Sequence, residues 1–94
     1  MCTPELQLKL EEGENFRLIE RLQQDAKFDG ADEVVTIDGL RVEYPDGFGL
    51  ARSSNTTPVV VLRFEAETQA GLKSIQEDFR RVLKAAKPDV ELPF

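Results

Sequence analysis

Ten consecutive residues from Gly49 to Pro58 read Gly-Leu-Ala-Arg-Ser-Ser-Asn-Thr-Thr-Pro, and six of them, Arg52 to Thr57, carry hydrogen-bond-donating side chains. Such a set suits an oxyanion. A phosphate group carries about 1.5 to 2 negative charges near neutral pH and three strong acceptor oxygens, so it needs several donors aimed at one point. Arg52 can supply two parallel N–H bonds. Ser54 and Thr56 can supply a hydroxyl each, and Asn55 an amide NH2. Backbone N–H groups in a tight turn can add an anion-binding nest. Read from local composition alone, the stretch is more readily an ordinary polar connection, because Ser, Thr and Asn form turns without any ligand; an anion site is the alternative. Asn55-Thr56-Thr57 also spells a glycosylation sequon. That would need a secretory route, and Met1 to Glu5 has no basic region followed by an apolar stretch.

The elements that must hold this loop are legible as patterns. Glu5 to Leu10 alternates polar and apolar residues, as a half-buried strand does. Glu11 to Asn15 breaks the alternation and offers helix N-caps. Phe16, Leu18, Ile19, Leu22 and Ala26 then recur at helical spacing, so residues 14–27 are predicted as a helix, with Glu14 and Lys27 placed as the macrodipole prefers. Val34 to Ile37 and Leu40 to Tyr44 are strand-like runs flanking Asp38-Gly39, which predicts a hairpin with a two-residue type I′ turn. Pro45-Asp46-Gly47 is a second turn, and Phe48 to Arg52 a short strand. Val59 to Ala66 is the most hydrophobic strand, expected at the centre of the sheet. Thr68 can cap a last helix whose apolar face is Leu72, Ile75, Phe79, Val82, Leu83 and Ala86, and Pro88 stops it. Phe16, Phe64 and Phe79 are expected in the core. The order predicts an α+β two-layer sandwich: a mostly antiparallel sheet of four to five strands with two helices packed on one face.

Composition narrows the partners. The 94 residues carry a net charge of −6, which opposes binding to nucleic acid and to anionic membranes. Any phosphate site must be a concentrated local feature. One cysteine, Cys2, and no histidine argue for a reducing compartment and against a zinc site. The acidic runs Glu11, Glu12, Glu14 and Asp29, Asp32, Glu33 read as solvated surface, with a carboxylate metal site as the lesser alternative. Arg63, between Leu62 and Phe64, projects away from the core, into solvent or toward a neighbouring domain.

The run Arg52-Ser53-Ser54-Asn55-Thr56-Thr57-Pro58 resembles the phosphate-binding loop of the α-D-phosphohexomutase superfamily, usually Arg-x-Ser-Gly-Thr-x-Pro. Asn55 in place of Gly is similar to the phosphomannomutase/phosphoglucomutase branch. Thr36 to Leu50 resembles that branch's lead-in, DGVRVDYPxGWGLVR. Val59 to Ala66 and Leu92-Pro93-Phe94 extend the likeness over essentially the whole chain. Ser53 stands where Ala is common, and Phe48 where Trp is common.

The resemblance implies the C-terminal domain of a four-domain enzyme, a TATA-binding-protein-like fold. Residues 1–4 would be a linker or hinge remnant with an added start Met, and residues 5–94 the domain. The enzyme would interconvert 1-phospho and 6-phospho hexoses, of mannose or glucose, through a hexose 1,6-bisphosphate intermediate, with Mg2+ and a phosphoserine in other domains. Arg52, Ser54, Asn55 and Thr56 would grip the phosphate of the sugar, Ser53 and Thr57 would shape the loop, and Pro58 would fix its exit. The chain itself would hold no catalytic residue and no metal ligand. It is expected to be cytoplasmic, monomeric and inactive alone, with the preceding domains as its partners. The rival readings are a non-enzymatic protein-interaction module and a domain that senses a small anion.

Overall fold

The computed structural model describes residues 1–94 apart from Met1, Pro4, Asp29 and Asp38. The elements run β1 (Leu6–Lys9), α1 (Glu14–Asp25), β2 (Glu33–Val35), β3 (Leu40–Tyr44), β4 (Gly47–Ser53), β5 (Val59–Ala66) and α2 (Gln69–Ala86). The five strands form one antiparallel sheet in the order β1-β5-β4-β3-β2. The chain therefore starts on one edge, crosses by α1 to the other, and meanders back until β5 closes against β1. Leu6 pairs with Leu62 and Leu8 with Val60. β4, not β5, is the middle strand. β5 is paired on both sides, which accounts for its apolar composition without placing it at the centre. Upstream of β1, Thr3 N–H donates to the Phe64 carbonyl at 3.0 Å, and Phe64 N–H donates to Thr3 Oγ1 at 3.2 Å.

Alternation along the strands puts Leu8, Leu40, Val42, Ala51, Val60, Leu62, Phe64 and Ala66 on one buried face. Both helices cover that face, so the two-layer α+β sandwich stands. In α2 the i, i+3, i+4 stripe buries Leu72, Ile75, Phe79, Val82 and Leu83, and Thr68 Oγ1 accepts from Gly71 N–H at 3.0 Å as an N-cap. Phe79 is the keystone. Its ring meets Phe64 edge-on at 5.1 Å and Phe28 at 5.0 Å, contacts adding about 0.5–1.5 kcal/mol each beyond burial. It can approach the sheet because Gly49 lies beneath it: a β-carbon there would stand 2.3 Å from the Phe79 ring.

Three local expectations are corrected. Phe16 is 49% exposed, not core. α1 turns Asn15, Leu18, Ile19 and Leu22 inward instead, a face that begins one residue earlier, with a polar side chain. α1 also ends at Asp25, with no basic residue in its last turn. Lys27 lies beyond it, and its carbonyl accepts from Arg81 Nη2 at 2.7 Å. The β2–β3 hairpin is looser than a two-residue turn, which would pair Ile37 with Leu40. Instead Val35 faces Arg41 and residues 36–39 form the connection. The physical reason is Gln23 of α1, whose Nε2 donates to the carbonyls of Thr36 and Gly39 at 3.2 and 2.6 Å. Of the turn pair, Gly39 has φ +86°, and Asp38 lies outside the described residues.

Candidate functional site

The connection between β4 and β5 is the donor-rich loop. Ser53 ends β4 opposite Val60 of β5, so both ends of the loop are anchored in the sheet, and Ser54 N–H adds a bond to the Val59 carbonyl at 3.0 Å. Within the loop, polar groups gather on one atom, the Ser54 hydroxyl oxygen. Thr56 N–H and Thr57 N–H donate to it at 3.3 and 3.4 Å, Thr57 Oγ1 donates at 3.3 Å, and Thr56 Oγ1 lies 3.3 Å away. These bonds are long for O–H and N–H donors. One hydroxyl oxygen with two lone pairs is shared among several donors.

The Ser54, Thr57 and Pro58 carbonyls of the loop, and that of Val59 at the start of β5, are held from α1 and from Leu10, just after β1. Asn15, 1% exposed, places its side-chain Nδ2 against three of them: Ser54 at 3.1 Å, Thr57 at 3.4 Å and Val59 at 3.2 Å. The Pro58 carbonyl accepts from Leu10 N–H at 2.9 Å. An amide oxygen beside three carbonyl oxygens would be repelled, so the orientation of the Asn15 amide is fixed by its surroundings. The consequence is that Asn15 Oδ1 is buried without a hydrogen-bond partner, a cost of about 1–3 kcal/mol. Sequence reasoning missed this residue by treating Asn15 as a capping candidate. In fact Gly13, with φ +82°, is the N-cap of α1, without a side-chain bond. The available signal was Asn15 standing at i with Leu18, Ile19 and Leu22 at i+3, i+4 and i+7.

The loop separates two open hollows. Arg52, Ser53 and Asn55 line one of them with Phe16, Ile19, Glu20, Gln23 and Gly39. Ser54, Asn55, Thr56 and Thr57 line the other, with Glu12, Gly13, Asn15, Phe16 and Pro58. Asn55 and Phe16 belong to both. The structure thus brings Ser54, Thr56 and Thr57 together, places Arg52 with Ser53 on the far side of Asn55, and makes Asn55 the link. Arg52, Asn55, Thr56 and Thr57 are exposed, and Ser53 and Ser54 half-buried. A carboxylate stands in each hollow, Glu20 in one and Glu12 in the other. Among the described residues, no three Asp, Glu, Cys or His side chains stand close enough to hold a metal ion.

The remaining charged features lie elsewhere. Glu14 pairs with Lys87 Nζ at 2.9 Å, joining the start of α1 to the end of α2. The Glu11 N–H bond first, and Lys87 second, hold the Glu14 carboxyl below the usual carboxylate range. Arg63 is exposed, on the sheet face away from the helices, opposite Leu50 of β4.

Comparison with known proteins gives the lineage. Residues 5–82 match the family described as phosphoglucomutase/phosphomannomutase, C-terminal domain. A phosphoglucomutase of Neisseria gonorrhoeae is 58% identical over 86 residues, 90% of this chain and 19% of that protein. A phosphomannomutase/phosphoglucomutase of Pseudomonas syringae pv. tomato is 54% identical over the full 94 residues, 20% of its own length. The crystal structure of a phosphoglucomutase/phosphomannomutase family protein from Burkholderia thailandensis superposes with a TM-score of 0.91 at 73% identity, covering 100% of this chain and 19% of that one. The chain therefore spans about a fifth of the length of the curated relatives it matches, and it belongs to the phosphoglucomutase/phosphomannomutase C-terminal domain family.

Proposed function

We propose that the loop from Arg52 to Thr56 grips the phosphate of a phosphosugar, as one part of an enzyme that interconverts 1-phospho and 6-phospho hexoses through a bisphosphorylated intermediate. The observation that carries this reading is the sidedness of the loop. The Ser54 and Thr57 carbonyls are turned to the buried Asn15, while Thr56 N–H, Thr57 N–H and the Thr57 hydroxyl converge on Ser54 Oγ. A phosphate oxygen is a far stronger acceptor than a serine hydroxyl, so these donors would exchange long internal bonds for charge-assisted ones. Arg52 supplies the full positive charge, and Asn55, common to both hollows, reaches an anion entering from either. The names of the relatives, phosphoglucomutase and phosphomannomutase, agree with a hexose phosphate as the ligand.

In that role the domain positions rather than reacts. Phosphoryl transfer depends mostly on holding the reacting oxygens in line. Fixing one phosphate of the sugar presents the other end to a phosphoserine elsewhere in the enzyme. Residues 5–94 form the binding domain in this reading and residues 1–4 its linker. The domain would close over the cleft for chemistry and loosen while the intermediate turns. Mg2+ would be held by other parts of the enzyme, and the setting would be cytoplasmic. No helix among the described residues is long and apolar enough to cross a membrane.

Titrating glucose 6-phosphate into the isotopically labelled chain tests the proposal. Amide resonances of Arg52, Ser54, Asn55 and Thr56 should move first and saturate with a Kd on the order of millimolar. Movement confined to another surface would refute the loop assignment, and submillimolar affinity would favour an anion sensor.

A further inference from the structure

We infer that Asn15 is a positioning residue for the phosphate loop: through its side-chain NH2 it holds the Ser54 carbonyl away from the anion and so aims the Asn55 backbone N–H outward. The inference rests on the phosphate reading above and goes one step deeper, to the residue that prepares the site without touching the ligand.

The geometry is specific. In a planar trans peptide the carbonyl of one residue and the N–H of the next point in opposite directions. Asn15 Nδ2 holds the Ser54 carbonyl inward at 3.1 Å, so the following N–H, that of Asn55, must point outward. The same amide holds the Thr57 and Val59 carbonyls at 3.4 and 3.2 Å. Thr57 is followed by Pro58, which has no N–H to orient. The Ser54 carbonyl oxygen, a partial negative charge, is thereby taken from the face a phosphate would approach, while the Thr57 and Val59 carbonyls also accept backbone N–H bonds, from Val59 at 2.8 Å and from Ser54 at 3.0 Å. The bonded carbonyls lie 39 to 44 positions further along the chain, so the loop's conformation is set from α1 as well as by its own turn chemistry.

The buried, unpartnered Oδ1 of Asn15 supports a role beyond packing. A leucine would remove this orphaned side-chain oxygen but would also leave the Ser54 carbonyl without the Nδ2 donor it has here. The amide is warranted only by what its NH2 does, and its hydrogen bonds given above go to the loop and to the first residue of β5.

The experiment compares the wild-type chain with Asn15→Leu, Asn15→Asp and Arg52→Ala. Each is titrated with inorganic phosphate and with glucose 6-phosphate, reading backbone amide shifts, with a thermal melt run on each. The expected result is that Asn15→Leu remains folded but binds about tenfold more weakly or worse, and that the Asn55 amide loses most of its ligand-induced shift. Asn15→Asp, which presents oxygen to the carbonyls, should lose at least as much. A folded Asn15→Leu variant with wild-type Kd and a wild-type Asn55 response would overturn the inference, leaving Asn15 a packing residue. Should both Asn15 variants fail to fold, the wild type decides: its Asn15 side-chain amide resonances should shift with the same Kd as Asn55, and their failure to move would overturn the inference. Arg52→Ala separates the two levels. If it weakens binding while Asn15→Leu does not, only the positioning role falls. If it leaves binding unchanged, or the wild type binds neither ligand, the phosphate reading falls and this inference with it.

Discussion

Gln23 Nε2 donates to the carbonyl of Gly39 at 2.6 Å, fastening the β2–β3 connection to α1 beside Arg52. With Asn15 two turns earlier, α1 holds both segments that flank the Arg52 hollow: the 36–39 connection through Gln23, and the β4–β5 loop through Asn15. One helix therefore fastens both segments through side-chain amides that donate to their carbonyls.

Gly39 is confined from two directions. Its φ is +86°, and a β-carbon would stand 2.7 Å from the Ala51 carbonyl oxygen and 3.2 Å from Arg52 Cγ. Gly39→Ala should destabilise the chain by about 1–3 kcal/mol and displace the Arg52 stem. A urea melt combined with the Arg52 amide shift checks both. Wild-type stability would show that the turn accommodates a side chain.

Gly49 under Phe79 is a matched pair. Gly49→Ala should cost about 1–3 kcal/mol by overpacking, and Phe79→Ala about 3–5 kcal/mol by leaving a cavity. The double variant should lose less than the sum, because the methyl enters space the ring has vacated. A double-mutant cycle in denaturant measures the coupling.

The Glu14–Lys87 pair gives a sign for the pH dependence. The Glu14 pKa is lowered from 4.5, by the Glu11 N–H bond first and then by Lys87. Its stabilising contribution is thus complete above that value and is lost as pH falls through the lowered folded value. The Lys87 pKa is raised from 10.5 by Glu14 and then Asp89, so its contribution is complete below 10.5 and is lost as pH rises through the raised value. Glu14→Gln should differ from wild type in melting temperature at neutral pH, with the difference shrinking toward acid. A constant difference across that range would show that the pair contributes nothing through charge.

The N-cap of α2 is open to a simple check. Thr68→Ala removes the acceptor for Gly71 N–H and should cost about 1 kcal/mol, while Thr68→Ser should cost much less. Thermal melts of the two variants suffice.

The sequence patterns revealed α2 almost completely, because Thr68, its apolar stripe and Pro88 are all local signals. They revealed the candidate loop by donor type alone. They misplaced the face of α1, because a phenylalanine outranks an asparagine on any hydrophobicity scale, and what buries Asn15 is a set of carbonyls 39 to 44 residues away. The hairpin at Asp38-Gly39 was legible as a turn but not in its register, since the competing donor, Gln23, arrives from another element. The contact between Gly49 and Phe79 left no mark in either segment. What escaped the patterns were contacts between elements distant in sequence, above all side-chain bonds to distant backbone.

Phosphate binding by the Arg52–Thr56 loop should depend on charge and on converging donors together. The most direct measurement is a pair of titrations with glucose 1-phosphate, one on the wild-type chain and one on Arg52→Ala, at low and high salt. The wild type should bind saturably at millimolar concentration, weakened about tenfold or more by Arg52→Ala and by added salt. Superimposable curves for the two proteins, with no salt dependence, would contradict this dependence on charge.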